Sequence, residues 1–258
     1  MKKLLTSATM FLCSLLTFAQ FSGSGSGTKN DPYLILNPIQ LNQIRNFANQ
    51  REVYFKLMSD IDLTEFIDEE YPNGGGWLPI PSFNGVLDGN GKIISSLWID
   101  RVSSNDIGLF AKVAGGTIKN LTLKNVNVKG KKNVGALVGT VTYDLTIDNC
   151  YVEGNIVGEN SVGGFAGSCD YQKRVCFENL KGKVNVTATG NYVGGIFGAY
   201  SDGSGTFNNC KIFESSISGV DYVGGLTGRS DEISNSSFEG IVYDNNIFQR
   251  PRPVNPPT

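Results

Sequence analysis

The side chains in this sequence best placed to do chemistry are acidic. Asp68, Glu69 and Glu70 stand in a row, followed by Tyr71 and then by the glycine-rich run Asn73-Gly74-Gly75-Gly76-Trp77. An acidic and aromatic loop tip suits a sugar, with hydroxyls on the carboxylates and a C–H face on the rings. It also suits calcium, which takes several carboxylate and carbonyl oxygens. A solvated surface loop is the plainer account of the same residues. Asp60 and Asp62 form a second group and share one strand face, since side chains two apart point the same way. Carboxylates gathered on one face are what cleavage of a glycosidic bond needs, one as acid and the other as base or nucleophile. A lyase would use a lysine or arginine base instead. Lys129, Lys131 and Lys132 cluster, but with no carboxylates assigned beside them a solvated turn explains them better.

Other chemistries are excluded by composition. The 258 residues contain no histidine, which removes Ser-His-Asp and Cys-His nucleophiles and every His-ligated metal. No metal and no cofactor is expected. The balance of 22 basic against 24 acidic side chains becomes 20 against 24, a net of −4, once Lys2 and Lys3 leave with a leader. A nucleic-acid partner would require a basic face to replace phosphate counterions, so none is expected. A hydrophobic content of 40% is enough for a real core and argues against general disorder. The 32 glycines and 25 asparagines suit strands joined by many tight turns rather than a helical bundle.

The amino terminus reads as an export signal. Met1-Lys2-Lys3 is basic, Leu4 to Phe18 is mostly apolar, and Thr17-Phe18-Ala19 predicts cleavage after Ala19. The apolar run is shorter than the ~20 residues that span a bilayer. Cys13 follows Met10-Phe11-Leu12, whereas a lipidation signal wants small residues there. The expected product is exported and free of transmembrane segments, bound for the medium or the cell surface, with the periplasm as the other destination. Four cysteines then remain, with no CxxC pair and no zinc spacing. A nucleophilic role for any of them lacks a histidine partner.

The elements that must position these residues come from a repeat. A small-residue motif recurs five times, at Ile107-Gly108, Val134-Gly135, Val162-Gly163-Gly164, Val193-Gly194-Gly195 and Val223-Gly224-Gly225, with first glycines 27, 28, 31 and 30 apart. A second marker, an apolar residue two before an asparagine, follows each one at Asn120, Asn149, Asn179, Asn209 and Asn235, with spacings of 29, 30, 30 and 26. Within each repeat apolar residues alternate, as in Leu121-Thr122-Leu123, so the segments are strands. About three strands per ~30 residues, joined by Gly/Asn corners, describe one coil of a parallel β-helix. Successive coils then stack about 4.8 Å apart, and the preference of parallel crossovers predicts a right-handed coil.

The asparagines are predicted to form a corner ladder, each amide bonding the next. The residues two before and one after each asparagine both look buried, which requires a bend between them. Cys150 and Cys210 fall in the inward column two coils apart, roughly 9.6 Å, too far for a disulfide; they read as small buried hydrophobes. Cys169 and Cys176 flank one loop and either bridge it or stay as thiols. The paired glycines permit close backbone approach. A phosphate cradle is not indicated, because no helix follows them.

The ends differ from the repeat. Residues 20–105 form an N-terminal cap and first coils, 106–248 the repeat, and 249–258 a proline-rich tail expected to be extended and mobile. Pro32–Leu36 is the first predicted strand, Tyr54–Met58 another, and Asp88-Gly89-Asn90-Gly91 a turn between Gly85–Leu87 and Ile93–Ile94. Ile39, Leu41, Ile44 and Phe47 carry helical spacing and predict an α-helical cap over the open end of the solenoid.

Phe83-Asn84-Gly85-Val86-Leu87-Asp88-Gly89-Asn90-Gly91, Asp60-Ile61-Asp62-Leu63-Thr64, Trp77-Leu78-Pro79-Ile80 and the recurring Val-Gly-Gly-Leu-x-Gly resemble the GLUG-motif proteins, over roughly residues 21 to 245. Those β-helical modules occur in bacterial surface proteins and beside the catalytic domain of some immunoglobulin A peptidases; unlike such multidomain members, this chain is expected to carry no attached protease domain. The resemblance implies an all-β, extracellular or surface scaffold with an adhesive role, assigns Asp60 and Asp62 to a structural end, and carries over no catalytic residue. The expected function is therefore a non-catalytic module that binds an extracellular glycan or protein, with Asp68, Glu69, Glu70 and Tyr71 as the candidate contact residues. A polysaccharide lyase or glycoside hydrolase, and a structural subunit of a surface assembly, are the alternatives.

Overall fold

Alternation of small or apolar with polar side chains decides the strands. Along Lys181–Ala188, Gly182, Val184, Val186 and Ala188 are buried while Lys181, Lys183, Asn185 and Thr187 are exposed. One face of such a strand must find a core, and successive repeats supply it by stacking. The computed structural model describes residues 21–48, 50–71, 74–170, 173–200, 204–229 and 232–244. The leader 1–19 and the tail 249–258 lie outside the described residues.

The chain is a parallel β-solenoid, built among the described residues from sheets of ten, eight and four strands. The first sheet climbs from Tyr33–Ile35 through Val53–Leu57, Phe83–Asp88, Phe110–Lys119, Val138–Asp148, Arg174–Glu178 and Ser204–Asn208 to Glu232–Ser234. The second contains Thr122–Lys129, Tyr151–Gly158, Lys181–Ala188, Lys211–Gly219 and Ser237–Asp244, and the third the short strands that lead into the last four glycine motifs. Asp88-Gly89-Asn90-Gly91 is a coil corner: the strand before it pairs in parallel within the first sheet and the strand after it within the second.

Register follows the repeat markers. Phe55, Leu87, Ile118, Ile147, Phe177, Phe207 and Ile233 form one column, and all but Ile233 are buried. Phe177 and Phe207 stack with centroids 4.7 Å apart, the spacing of neighbouring strands. Leu121, Cys150, Leu180 and Cys210 are buried just past the corner. Burial pushes the Cys150 thiol up to about 12, so it stays protonated and inert.

The bend between the two buried columns is left-handed backbone. Asn120, Asn149, Asn179, Asn209 and Asn235 all have φ between 47° and 53°, a region that asparagine tolerates better than most residues. Their side chains bond backwards along the stack, but not as one uniform ladder. Asn149 Nδ2 donates to Asn120 Oδ1 at 2.8 Å, and Asn209 Nδ2 to Asn179 Oδ1 at 2.8 Å. Asn179 instead donates to Asp148 Oδ1 at 2.7 Å, and Asn235 to Asn208 Oδ1 at 3.4 Å. Asp148 and Asn208, each one residue before a corner asparagine, thus replace it as the acceptor for the next coil.

Cys169 and Cys176 are free thiols, not a bridge. Cys169 is buried, whereas Cys176 lies on the outward side of its strand between inward Val175 and Phe177, so the two face different ways. The cap also differs in detail from its sequence reading. Asn37 caps the helix α1 (Pro38–Asn42) by accepting the Gln40 N–H at 3.0 Å, and the chain tightens to a 3-10 turn over Gln43–Phe47. Leu41, Ile44 and Phe47 are buried, but Ile39 is 58% exposed, because the short helix turns only one stripe toward the coil. Phe47, Phe21, Tyr33 and Phe55 close that end as an aromatic cluster.

The glycine column is a contact between backbones. A Cβ on Gly164 would run into the carbonyl of Gly195, and one on Gly195 into that of Gly225. Gly164→Ala must displace main chain and is expected to cost more than the ~1 kcal/mol typical of a substitution, seen as a lower denaturant midpoint. Asn179 both donates and accepts at its corner. Asn179→Ala should therefore lose about 1–3 kcal/mol, Asn235→Ala less, and Asn179→Gly should recover the part owed to left-handed backbone. Equal losses for Asn179→Ala and Asn235→Ala in chemical denaturation would mean that the corners are not coupled.

Candidate functional site

Residues 60–71 do not form a loop. Asp62 Oδ1 accepts both the N–H and the O–H of Thr64, at 2.9 and 2.7 Å, and this starts the helix α2 (Thr64–Glu70). Ile67 is buried and Phe66 packs on Trp77 with centroids 5.9 Å apart. Packing on that side holds the helix although Asp68, Glu69 and Glu70 crowd its C-terminal end, where the dipole disfavours negative charge.

The glycine-rich segment after α2 folds inward. Trp77 is fully buried, and its Nε1 donates to Leu109 O at 3.2 Å. Its main-chain N–H donates to Trp98 O at 2.8 Å, and Arg101 Nη2 donates to Gly76 O at 3.2 Å. These bonds pin α2 beside the outer face of the second sheet and leave a cleft of about 330 Å³ between them. Thr64, Ile67 and Asp68 line it from the helix; Ser96, Trp98, Asn125 and Asn127 line it from the sheet. Ser96 and Asn125 have φ of 60° and 52°, an irregularity that re-aims their side chains, with Asn125 Nδ2 donating to Ser96 Oγ at 3.4 Å.

The cleft brings together an indole, one carboxylate, two amides and two hydroxyls. Of the four contact residues expected from sequence, only Asp68 lines it. Glu69 and Glu70 are exposed on the helix end. Tyr71 is tied to the cap instead, its hydroxyl donating to Asn42 Oδ1 and accepting from Arg45 Nη2, both at 3.4 Å; burial raises its pKa. Asp60 accepts the Ile93 N–H at 2.9 Å, so both it and Asp62 are occupied in holding the chain. Lys129 pairs with Asp100 at 3.3 Å. Among the described residues no group of three or more His, Cys, Asp or Glu is placed to hold a metal. A second cleft, of about 340 Å³, lies on the first sheet and is flanked by the Asp144–Arg174 ion pair at 3.2 Å.

Sequence reasoning missed Trp98, Ser96 and the two cleft asparagines, which precede or fall between the repeat markers. It also missed a second left-handed column, Asp106, Asn133, Ser161, Tyr192 and Tyr222, with φ from 53° to 65°. Each of these residues stands immediately before a Val-Gly or Ile-Gly marker. Asp106 and Asn133 are types that suit such backbone, and that was the available signal; the serine and two tyrosines conceal it.

Residues 81–154 match the profile of the M26 IgA1-specific metallo-endopeptidase N-terminal region. The chain is 39% identical over 150 residues to halomucin of Haloquadratum walsbyi, covering 56% of this chain and 2% of halomucin. It is 32% identical over 149 residues to the immunoglobulin A1 protease of Streptococcus sanguinis, covering 54% of this chain and 8% of that protein. The matched region is thus a small part of each of these curated relatives. A crystal structure from Bacteroides ovatus, provisionally named an immunoglobulin A1 protease, superposes with a TM-score of 0.58 at 19% identity, covering 90% of this chain and 81% of that one; it shares the fold. No helix of the described residues is long and apolar enough to cross a membrane.

The start of α2 is predicted to be acid-sensitive. The Thr64 hydroxyl and N–H hold Asp62 below its usual 3.8, and the main-chain and side-chain bonds from Arg174 do the same for Asp144. A depressed folded pKa means that this stabilisation is present above about pH 3.8 and is lost as pH falls through the folded value. Thermal unfolding should show a falling Tm below about pH 4. Asp62→Asn keeps an acceptor for Thr64 and should make that decline shallower; an unchanged decline would show that Asp62 does not contribute.

Proposed function

We propose that this chain is an exported, non-catalytic binding module that takes an extracellular glycan in the cleft between α2 and the second sheet. The observation that carries this reading is the cleft's composition: a Trp98 ring beside Asp68, Asn125, Asn127, Ser96 and Thr64. An aromatic face takes the C–H side of a sugar while amides, hydroxyls and a carboxylate exchange hydrogen bonds with its rim. Among the described residues one carboxylate lines the cleft, whereas glycoside hydrolysis uses a pair, and the chain has no histidine to serve as acid or base. Reading the repeats as GLUG-type is consistent with a surface scaffold of adhesive character.

The family comparison favours one second reading, in which the ligand is a protein. Residues 81–154 are similar to the N-terminal region of IgA1-specific metallo-endopeptidases, so immunoglobulin A1 is the natural protein probe. Purified protein should be exposed to host mucin glycans, plant polysaccharides and immunoglobulin A1, measuring both retention and released products. Retention of a glycan with no product, reduced at least roughly tenfold by Trp98→Ala, is the expected result. Retention of immunoglobulin A1 alone would select the protein reading. Steady release of oligosaccharides, abolished by replacing Asp68, Glu69 and Glu70 together, would make the chain an enzyme.

A further inference from the structure

The cleft does not end at Asn127. Trp98 pairs in register with Asn127, Asn127 with Asn155, Asn155 with Asn185, and Asn185 with Ser216. These five positions form one straight outward line along the solenoid axis. At about 4.8 Å per coil, the line is roughly 19 Å long. Asn127, Asn155 and Asn185 are exposed. Asn185 Nδ2 donates to Asn155 Oδ1 at 3.1 Å, and the Asn127 amide makes no hydrogen bond among the described residues.

Apart from Asp68 at the cleft end, the charges next to this line are engaged. Two residues before the line's positions, Lys183 bonds Glu214 at 2.6 Å and Glu153 accepts the Tyr151 hydroxyl at 3.0 Å. Two residues after it, Lys129 pairs with Asp100 at 3.3 Å, and Thr187 and Ser218 are neutral. The line itself carries no charge. Backbone N–H and C=O groups here are used in the parallel ladders, so recognition must come from side chains that recur at a fixed step.

Resting on the glycan reading above, we infer that the ligand is a neutral, extended polysaccharide lying along the solenoid axis, with one sugar on Trp98 and following sugars on Asn127, Asn155 and Asn185. A repeating row of amides, each able to donate and accept, matches a polymer whose hydroxyls also recur at a fixed step. A globular protein surface has no such translation. A polyanionic glycan would lack free cations along the line. Each rung adds a weak contact, and affinity accumulates with chain length.

The test is affinity against length, using neutral cello-, xylo- and manno-oligosaccharides from disaccharide to hexasaccharide, with oligogalacturonates as the anionic comparison. Affinity for at least one neutral series should climb with each sugar and level off near the length of the line. Asn155→Val with Asn185→Val places strand-favouring residues at exposed sites. The double variant should lose roughly tenfold for the hexasaccharide and nothing for the disaccharide, while Trp98→Ala weakens both. Length-independent binding that depends only on Trp98 would overturn the axial track and leave the cleft reading intact. Preference for oligogalacturonates would overturn the neutral ligand. Failure of every oligosaccharide to bind would overturn both this inference and the glycan reading, and binding of immunoglobulin A1 alongside that failure would replace them with the protein reading.

Discussion

Every other feature of this molecule depends on its corners falling at the same place in each coil. A parallel stack tolerates no drift, because a one-residue slip turns a strand's inward side chains outward. The asparagine corner prevents drift from two directions. Its main-chain N–H reaches forward, as when Asn149 N donates to Glu178 O at 3.0 Å. Its amide reaches backward, as from Asn149 to Asn120 at 2.8 Å. Left-handed backbone at one residue lets both happen while the chain bends. The second left-handed column, before each Val-Gly or Ile-Gly marker, fixes the opposite corner in the same conformation.

Core and surface follow from that constraint. Since corners align, Phe177 meets Phe207 inside and Asn155 meets Asn185 outside. The same register that stabilises the stack therefore lays identical polar groups in a row on its surface. The two ends are treated differently. The cap buries Leu41, Ile44 and Phe47 over the first coil, whereas Ile233, in the inward column of the last described coil, is 52% exposed.

The architecture was legible because two markers with one period are hard to produce any other way. The bend at the asparagines could be deduced from two buried columns three positions apart, without coordinates. What was not legible depended on tertiary packing. Asp68 to Glu70 read as a loop because they stand just before the glycine-rich run at Asn73; the bonds from Thr64 to Asp62 and the packing of Phe66 and Ile67 make them part of a helix. The uniform ladder failed at Asn179 and Asn235 because Asp148 and Asn208, one residue before the corner, offer competing oxygens. Whether Cys169 and Cys176 bridge was open in the sequence, and strand alternation, which turns one inward and the other outward, leaves them as thiols. Trp98 was overlooked because it lies outside the repeat, and only the register with Asn127 gives it a place.

The central claim is that stacking register, set by the corners, lays out a binding line along the solenoid. A crystal structure of the protein with a neutral hexasaccharide tests it most directly. The account predicts sugar density over the Trp98 ring and continuing past Asn127, Asn155 and Asn185, parallel to the axis. Sugar lying across the coils, or seated in the cleft beside Asp144 and Arg174, would contradict it.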